Sequence, residues 1–356
     1  MNGARASRRP ASIPMFAAST TATAEVRPRG RRRGALALCA LGLWGAATRA
    51  DDAGQALRDM HEATRTLNYE GVFVYQRGDH LESMRLIHRY ADGAEAERLI
   101  SLSGPAREVI RQGDRVTCVY ADSDGARGAG KTPPRDLIGI GFSAPVDKLD
   151  DNYRITVDGQ DRVAGRPSTV VAVTPVSPDR YGYRLWLDEQ SKLLLKSAIL
   201  DGSGHALEQM QFTSLEVHAS LAPDMLQPGL HGPSFDWHSD AETESDEAAA
   251  AAAGGGGGDW KVSWVPPGFE FKERSLQRMG AREAPIDHLV YSDGVAMVSI
   301  FVEAVADVTR ALRGRSSRGA VNAFSRLADS HQITVVGEVP AATARKIARS
   351  VVRTEP

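Results

Sequence analysis

Eight residues, Gly125-Ala126-Arg127-Gly128-Ala129-Gly130-Lys131-Thr132, carry the glycine and lysine spacing of a phosphate-binding loop. That chemistry needs a helix to begin at once, so that its first N–H groups and the positive end of its dipole meet the phosphates. Pro133 and Pro134 follow instead, and Pro134 drives the residue before it out of the helical region. The segment therefore predicts a loop. Gly139-Ile140-Gly141-Phe142-Ser143-Ala144 has the spacing of a dinucleotide fingerprint but runs into Pro145 where its helix should grow. The nine histidines form no His-Glu-x-x-His array, and there is no Cys-x-x-Cys pair, so no protein metal site is indicated. No Gly-x-Ser-x-Gly elbow occurs either. Arg77-Gly78-Asp79 has the form of an adhesion tripeptide, yet between two strands it is a good turn. These residues predict a protein with no cofactor and no catalytic role.

The elements that would position any site begin with a leader. Arg31, Arg32 and Arg33 precede a charge-free run from Gly34 to Ala47, and Thr48-Arg49-Ala50 offers small residues at the −3 and −1 positions. This predicts an exported protein, cleaved near Ala50 and resident in the periplasm. The run is shorter than the roughly 20 residues that span a bilayer as a helix. Leu38 before Cys39 argues against lipidation. Residues 1–28 show no periodic pattern and read as an over-long gene start. The whole chain has 43 Lys and Arg against 45 Asp and Glu, and loss of residues 1–50 removes nine of the former and one of the latter, leaving a net charge of −10. An acidic mature chain predicts no nucleic-acid partner, because that binding draws on Lys and Arg neutralising phosphates. Cys118 would be the sole remaining cysteine, in a strand-like run that predicts a buried, inert thiol.

With 42% apolar and 25% charged residues, the mature chain reads as soluble material in two domains. Residues 51–236 form the first and residues 259–356 the second. Between them, 237–258 hold Asp240, Glu242, Glu244, Asp246 and Glu247, then runs of Ala and Gly, and read as linker. In the first domain Ala53, Leu57, Met60, Thr64 and Leu67 mark one helical face, with Asp51 or Asp52 available to cap it. Strands are predicted at Tyr69 to Gln76, Ser83 to Tyr90, Glu95 to Leu102, Arg107 to Tyr120, Tyr153 to Val163, Ser168 to Val176, Tyr181 to Asp188, Leu193 to Leu200 and Ala206 to His218. Leu193-Leu194-Leu195 and Ala198-Ile199-Leu200 do not alternate, so both faces of that strand want cover. In the second domain Trp260 to Val265, Ile286 to Tyr291, Val295 to Glu303, Gly319 to Leu327 and Gln332 to Val339 read as strands. Pro340 starts a helix whose Ala344, Ile347, Ala348 and Val351 share a face. The fold class is α+β, mostly antiparallel sheet.

Several runs resemble the RseB/MucB family of periplasmic negative regulators of the sigma-E envelope stress response. They are Leu67-Asn68-Tyr69-Glu70-Gly71-Val72-Phe73-Val74-Tyr75, Trp186-Leu187-Asp188 with Leu193-Leu194-Leu195-Lys196, Trp264-Val265-Pro266-Pro267-Gly268-Phe269, His288 to Gly294, and Val335 to Pro340 with Thr343. The resemblance implies a large open half-barrel with a helix, like the lipoprotein carriers LolA and LppX, followed by a smaller sheet-and-helix domain. It implies a partner, the periplasmic segment of an RseA/MucA-like membrane anti-sigma factor that is shielded from the site-one protease. It also implies a releasing ligand, lipopolysaccharide or another amphiphile. A lipid or lipoprotein carrier is the alternative, and the sequence leaves the oligomeric state open, a homo-oligomer included. Phe73, Tyr75, Trp186, Leu194, Met210 and Phe212 are candidates for an apolar cavity wall, with ordinary core as the competing role. Tyr291, Ser292, Asp293, Phe301 and Glu338 are candidates for the partner contact. The competing role there is a Tyr291 and Phe301 cross-strand core pair with Asp293-Gly294 simply turning the chain.

Overall fold

The computed structural model describes residues 47–121, 149, 151–238, 260–277, 286–305, 308–309 and 311–354. The leader up to Ala46, both glycine-rich loops and residues 239–258 of the linker lie outside them. No helix among the described residues is long and apolar enough to cross a membrane.

Helix α1 (Ala47–Thr66) buries Ala53, Leu57, Met60 and Ala63. The expected stripe thus ends on Ala63 rather than Thr64, and Leu67 falls beyond the helix. Asp51 and Asp52 do not cap it, because Ala47 to Ala50 continue the helix upstream. An eleven-stranded sheet follows, formed by β1 (Asn68–Arg77), β2 (His80–Ala91), β3 (Ala94–Ser101), β4 (Arg107–Gln112), β5 (Arg115–Tyr120), β6 (Tyr153–Val163), β7 (Arg166–Pro175), β8 (Gly182–Asp188), β9 (Leu194–Leu200), β10 (Ala206–His218) and β11 (Ser234–His238). The order is β11-β5-β4-β3-β2-β1-β10-β9-β8-β7-β6 with antiparallel neighbours, and the two edge strands do not meet, so the sheet is open. The run from Arg107 to Tyr120 is two strands rather than one, folded at Gly113 with φ 57°. Cys118 on β5 is buried, and burial pushes its thiol pKa up.

Both faces of β9 are covered. The strand register puts Leu195 and Ile199 on one face and Ala198 on the other, and all three are buried. Leu57, Met60, Leu185, Val171 and Ile199 share a cluster, so this first face is the one that carries α1.

The second domain opens with β12 (Trp260–Val262). A six-stranded sheet follows, of β13 (Glu270–Gln277), β14 (Ile286–Ser292), β15 (Met297–Ala304), β16 (Gly314–Arg318), β17 (Val321–Ala328) and β18 (His331–Gly337) in the order β13-β14-β15-β18-β17-β16. Helix α2 (Ala341–Ser350) packs on β17 and β18, and β19 (Val351–Arg353) pairs with β12. Ala344, Ile347, Ala348 and Val351 are all fully buried against Val298, Ile300, Ile333 and Val335. The helical spacing expected this face, although Val351 already belongs to β19.

Candidate functional site

The apolar wall is built on β1 and β10. Phe73 pairs with Phe212 and Tyr75 with Met210 across the two strands, and Met210 in turn faces Ser197 and Leu185, on the side that carries α1. Phe73, Met210 and Phe212 are buried, and the two phenyl rings meet edge to face at 5.5 Å. Gly71 makes room for this: a methyl group there would collide with the Phe212 ring and the Ser214 carbonyl. Leu194 is partly buried and packs against the clusters on both sides of it. Trp186 belongs to the same buried cluster but enters it from the other face of its strand. It pairs with Lys196 and Val170, on the opposite face from Leu185 and Met210. There its ring packs with Val170 and Leu193, the Lys196 ammonium lies 4.5 Å from the ring centroid, and Asp161 accepts its N–H at 2.9 Å.

The five expected partner-contact residues do not form one patch. Tyr291 faces the core side of the second sheet, opposite Val298, and packs edge to face on Phe271 at 5.6 Å. Phe301 is on the other face, stacked on His288 at 4.4 Å. Each aromatic therefore has a cross-strand partner, but not the other. Ser292 and Asp293 are buried. Tyr291→Ala is expected to lower the melting temperature, because it opens a hole beside Phe271, at a cost of about 2–3 kcal/mol. An unchanged melting curve with lost partner binding would restore Tyr291 to the surface role.

Asp293 belongs to a seam between the two domains. Its Oδ2 accepts from Arg180 Nε at 2.7 Å and from the Tyr153 hydroxyl at 2.9 Å, while Oδ1 accepts the Val295 and Ala296 N–H groups. Arg180 and Asp293 side chains are 1% and 0% exposed, so the ion pair is dry. Arg180 also donates to the Pro267 carbonyl and lies 5.1 Å from the Phe269 ring centroid. The Tyr153 hydroxyl pKa is raised, by burial first and then by Asp293. Further along, Asn322 donates to the Tyr181 hydroxyl at 2.8 Å and Thr343 donates to the Asp179 carbonyl at 3.1 Å. Val295 and Ala320 complete a cluster with Tyr153, Tyr181, Tyr183 and Ile199.

At the other end of the seam Glu208, 6% exposed, accepts the Tyr75 hydroxyl and the Ala320 N–H. Burial raises the Tyr75 hydroxyl pKa most, then the Glu208 hydrogen bond, with the Glu338 charge adding to both. Tyr75 and Glu338, expected in separate sites, thus sit near one another. Sequence reasoning missed Arg180 and Glu208. Neither stands in a motif, and only their depth of burial beside a partner distant in sequence distinguishes them.

Among the described residues Glu70, Glu216 and His218 bring donor atoms within 4.8 Å of one another. Arg85 already pairs with Glu70, and His218 Nε2 lies 3.4 Å from the same carboxylate. This reads as a surface ion-pair network.

Comparison with known proteins places both halves together. The MucB/RseB N-terminal domain family matches residues 52–230 and the MucB/RseB C-terminal domain family matches residues 256–352. The chain belongs to the MucB/RseB family. It is 35% identical to the sigma factor AlgU regulatory protein MucB of Pseudomonas aeruginosa, over 86% of this chain and 92% of that protein. It is 28% identical to the sigma-E factor regulatory protein RseB of Salmonella typhimurium, over 89% and 96%. The structure of MucB in the Pseudomonas aeruginosa MucA/MucB complex superposes with a TM-score of 0.69 at 31% identity, covering 86% of this chain and all of that one. MucB alone superposes at 0.59, covering 87% and 99%. Its relatives are thus sigma-factor regulatory proteins, and one of them, MucB, forms a complex with MucA.

Proposed function

We propose that this MucB/RseB protein is a periplasmic regulatory binding protein. It holds the periplasmic segment of an RseA/MucA-like membrane anti-sigma factor, shields that segment from site-one proteolysis, and lets go when lipopolysaccharide or a related amphiphile binds. The observation that carries this reading is the match to both family domains in a chain whose relative MucB was crystallised with the periplasmic domain of MucA. The leader read from Arg31 to Ala50 supports the compartment. Of the wall residues, Phe73, Tyr75, Leu194, Met210 and Phe212 remain candidates for the amphiphile, and Trp186, on the opposite face, leaves the set. Asp293 acts on the partner through the seam and Ser292 holds the adjoining turn by accepting the Gly294 N–H, whereas Phe301 and Glu338 remain candidates for direct contact.

The mechanism is linkage. An amphiphile that binds the free regulator better than the complex lowers anti-sigma affinity by the same factor that the anti-sigma segment lowers amphiphile affinity. Acyl chains supply the energy: each buried methylene is worth about 0.8 kcal/mol, so five or six are worth about 4 kcal/mol. The test is a fluorescence-anisotropy titration of the mature protein with a labelled periplasmic segment of its cognate anti-sigma factor, with and without lipopolysaccharide. Saturable binding that lipopolysaccharide reverses is the expected result. Absence of binding at tens of micromolar, together with rapid lipid transfer to a membrane acceptor, would put the carrier reading ahead, since the apolar face of β1 and β10 suits either task.

A further inference from the structure

Arg77 and Glu208 are direct partners in the register of β1 and β10. They end the row of side chains that begins with Phe73 and Phe212 and continues with Tyr75 and Met210. An arginine and a glutamate so opposed ordinarily pair. Here the Glu208 carboxylate spends its oxygens on the Tyr75 hydroxyl and the Ala320 N–H. The Arg77 guanidinium lies 5.3 Å from the Tyr75 ring centroid, and its Nε is buried with no hydrogen-bond partner among the described residues. The reason is Gly319. Its φ is 60°, and a methyl group on it would collide both with Glu208 Oε1 and with the Cγ and Cδ of Arg77. The backbone of the second domain is wedged into the space where the two charges would meet.

We propose that Arg77 and Glu208 form a latent ion pair, held apart by the Gly319-Ala320 turn while the two domains are docked, whose closure competes with docking. The element has two discrete arrangements, as a switch requires. In the docked one Glu208 bonds Ala320; in the other it bonds Arg77 and the turn withdraws. Tyr75 shares the same carboxylate and belongs to the apolar wall. If the amphiphile reading holds, a ligand that moves the Tyr75 ring shifts the balance; the competition itself does not depend on that reading.

Amide hydrogen exchange at Ala320, measured on the mature protein, reads the opening directly, because its N–H is protected only while the turn is seated. Arg77→Met keeps the packing stem and removes the competing charge, so exchange at Ala320 slows by about two- to fivefold, the worth of a partly exposed pair. Added salt, which screens the pair, slows exchange in the wild type and leaves Arg77→Met unchanged. Gly319→Ala accelerates exchange. Equal or faster exchange in Arg77→Met, or a salt response that survives that substitution, overturns the proposal. Thermal unfolding of each variant identifies one that merely fails to fold, and Arg77→Gln then serves in place of Arg77→Met. Anti-sigma binding that is absent while the exchange pattern appears as expected would overturn the functional reading and leave the latent pair standing.

Discussion

Replacing Arg180 with methionine is expected to lower the free energy of unfolding by about 3 kcal/mol and to split one calorimetric transition into two. Removal of one member of a buried ion pair typically costs about 3–5 kcal/mol, because the other charge stays behind without compensation. Asp293 would keep the Tyr153 hydroxyl and two backbone N–H groups, which puts the loss at the lower end. Asp293→Asn, added to Arg180→Met, is expected to recover part of it, since the stranded charge is then gone. Scanning calorimetry of the mature protein gives both numbers. A single transition at the wild-type temperature would mean that the seam contributes little to holding the domains together.

Phe212→Ala is expected to cost about 3–5 kcal/mol, the usual range for an aromatic ring deleted from a packed interior. Its ring is buried, touches Phe73 edge to face and rests over the bare backbone of Gly71, so the site has little means of collapsing. Chemical denaturation measures the loss. A much smaller loss, accompanied by weaker binding of a long-chain amphiphile, would mean that the ring borders open space. Trp186→Ala serves as a control from the opposite face of the sheet, with amphiphile affinity expected to stay at the wild-type level.

Much of the strand pattern was legible because its residues alternate. Tyr153–Val163 and Ala206–His218 begin and end where the Val, Ile and Tyr runs do. Four strands were not legible: β11, β13, β16 and β19. The β16 sequence Gly-Arg-Ser-Ser-Arg is exposed throughout, and β11 is a short edge strand. The β4 and β5 hairpin is hidden in the sequence because Gly113-Asp114 is a break of only two residues between runs rich in Val and Ile. For the site, the residue types that make a wall could be read, but not their faces. A strand shows two sides, and only the register against Lys196 and Val170 put Trp186 on the far one. The seam was illegible for a different reason. Arg180 and Asp293 stand 113 positions apart, and nothing local in either neighbourhood asks for the other.

The pairing of β12 with β19 ties the first strand of the second domain to the last strand of the chain. Trp260 therefore waits for Arg353 through the synthesis of nearly the entire domain. A ribosome that still holds residues 351–353 holds the domain unfinished, with one side of the Trp260 strand unclaimed. The second domain is therefore closed only when residues 351–353 are free to pair. Truncation just before Val351 would leave every strand of the six-stranded sheet in place and still deny the domain its closure.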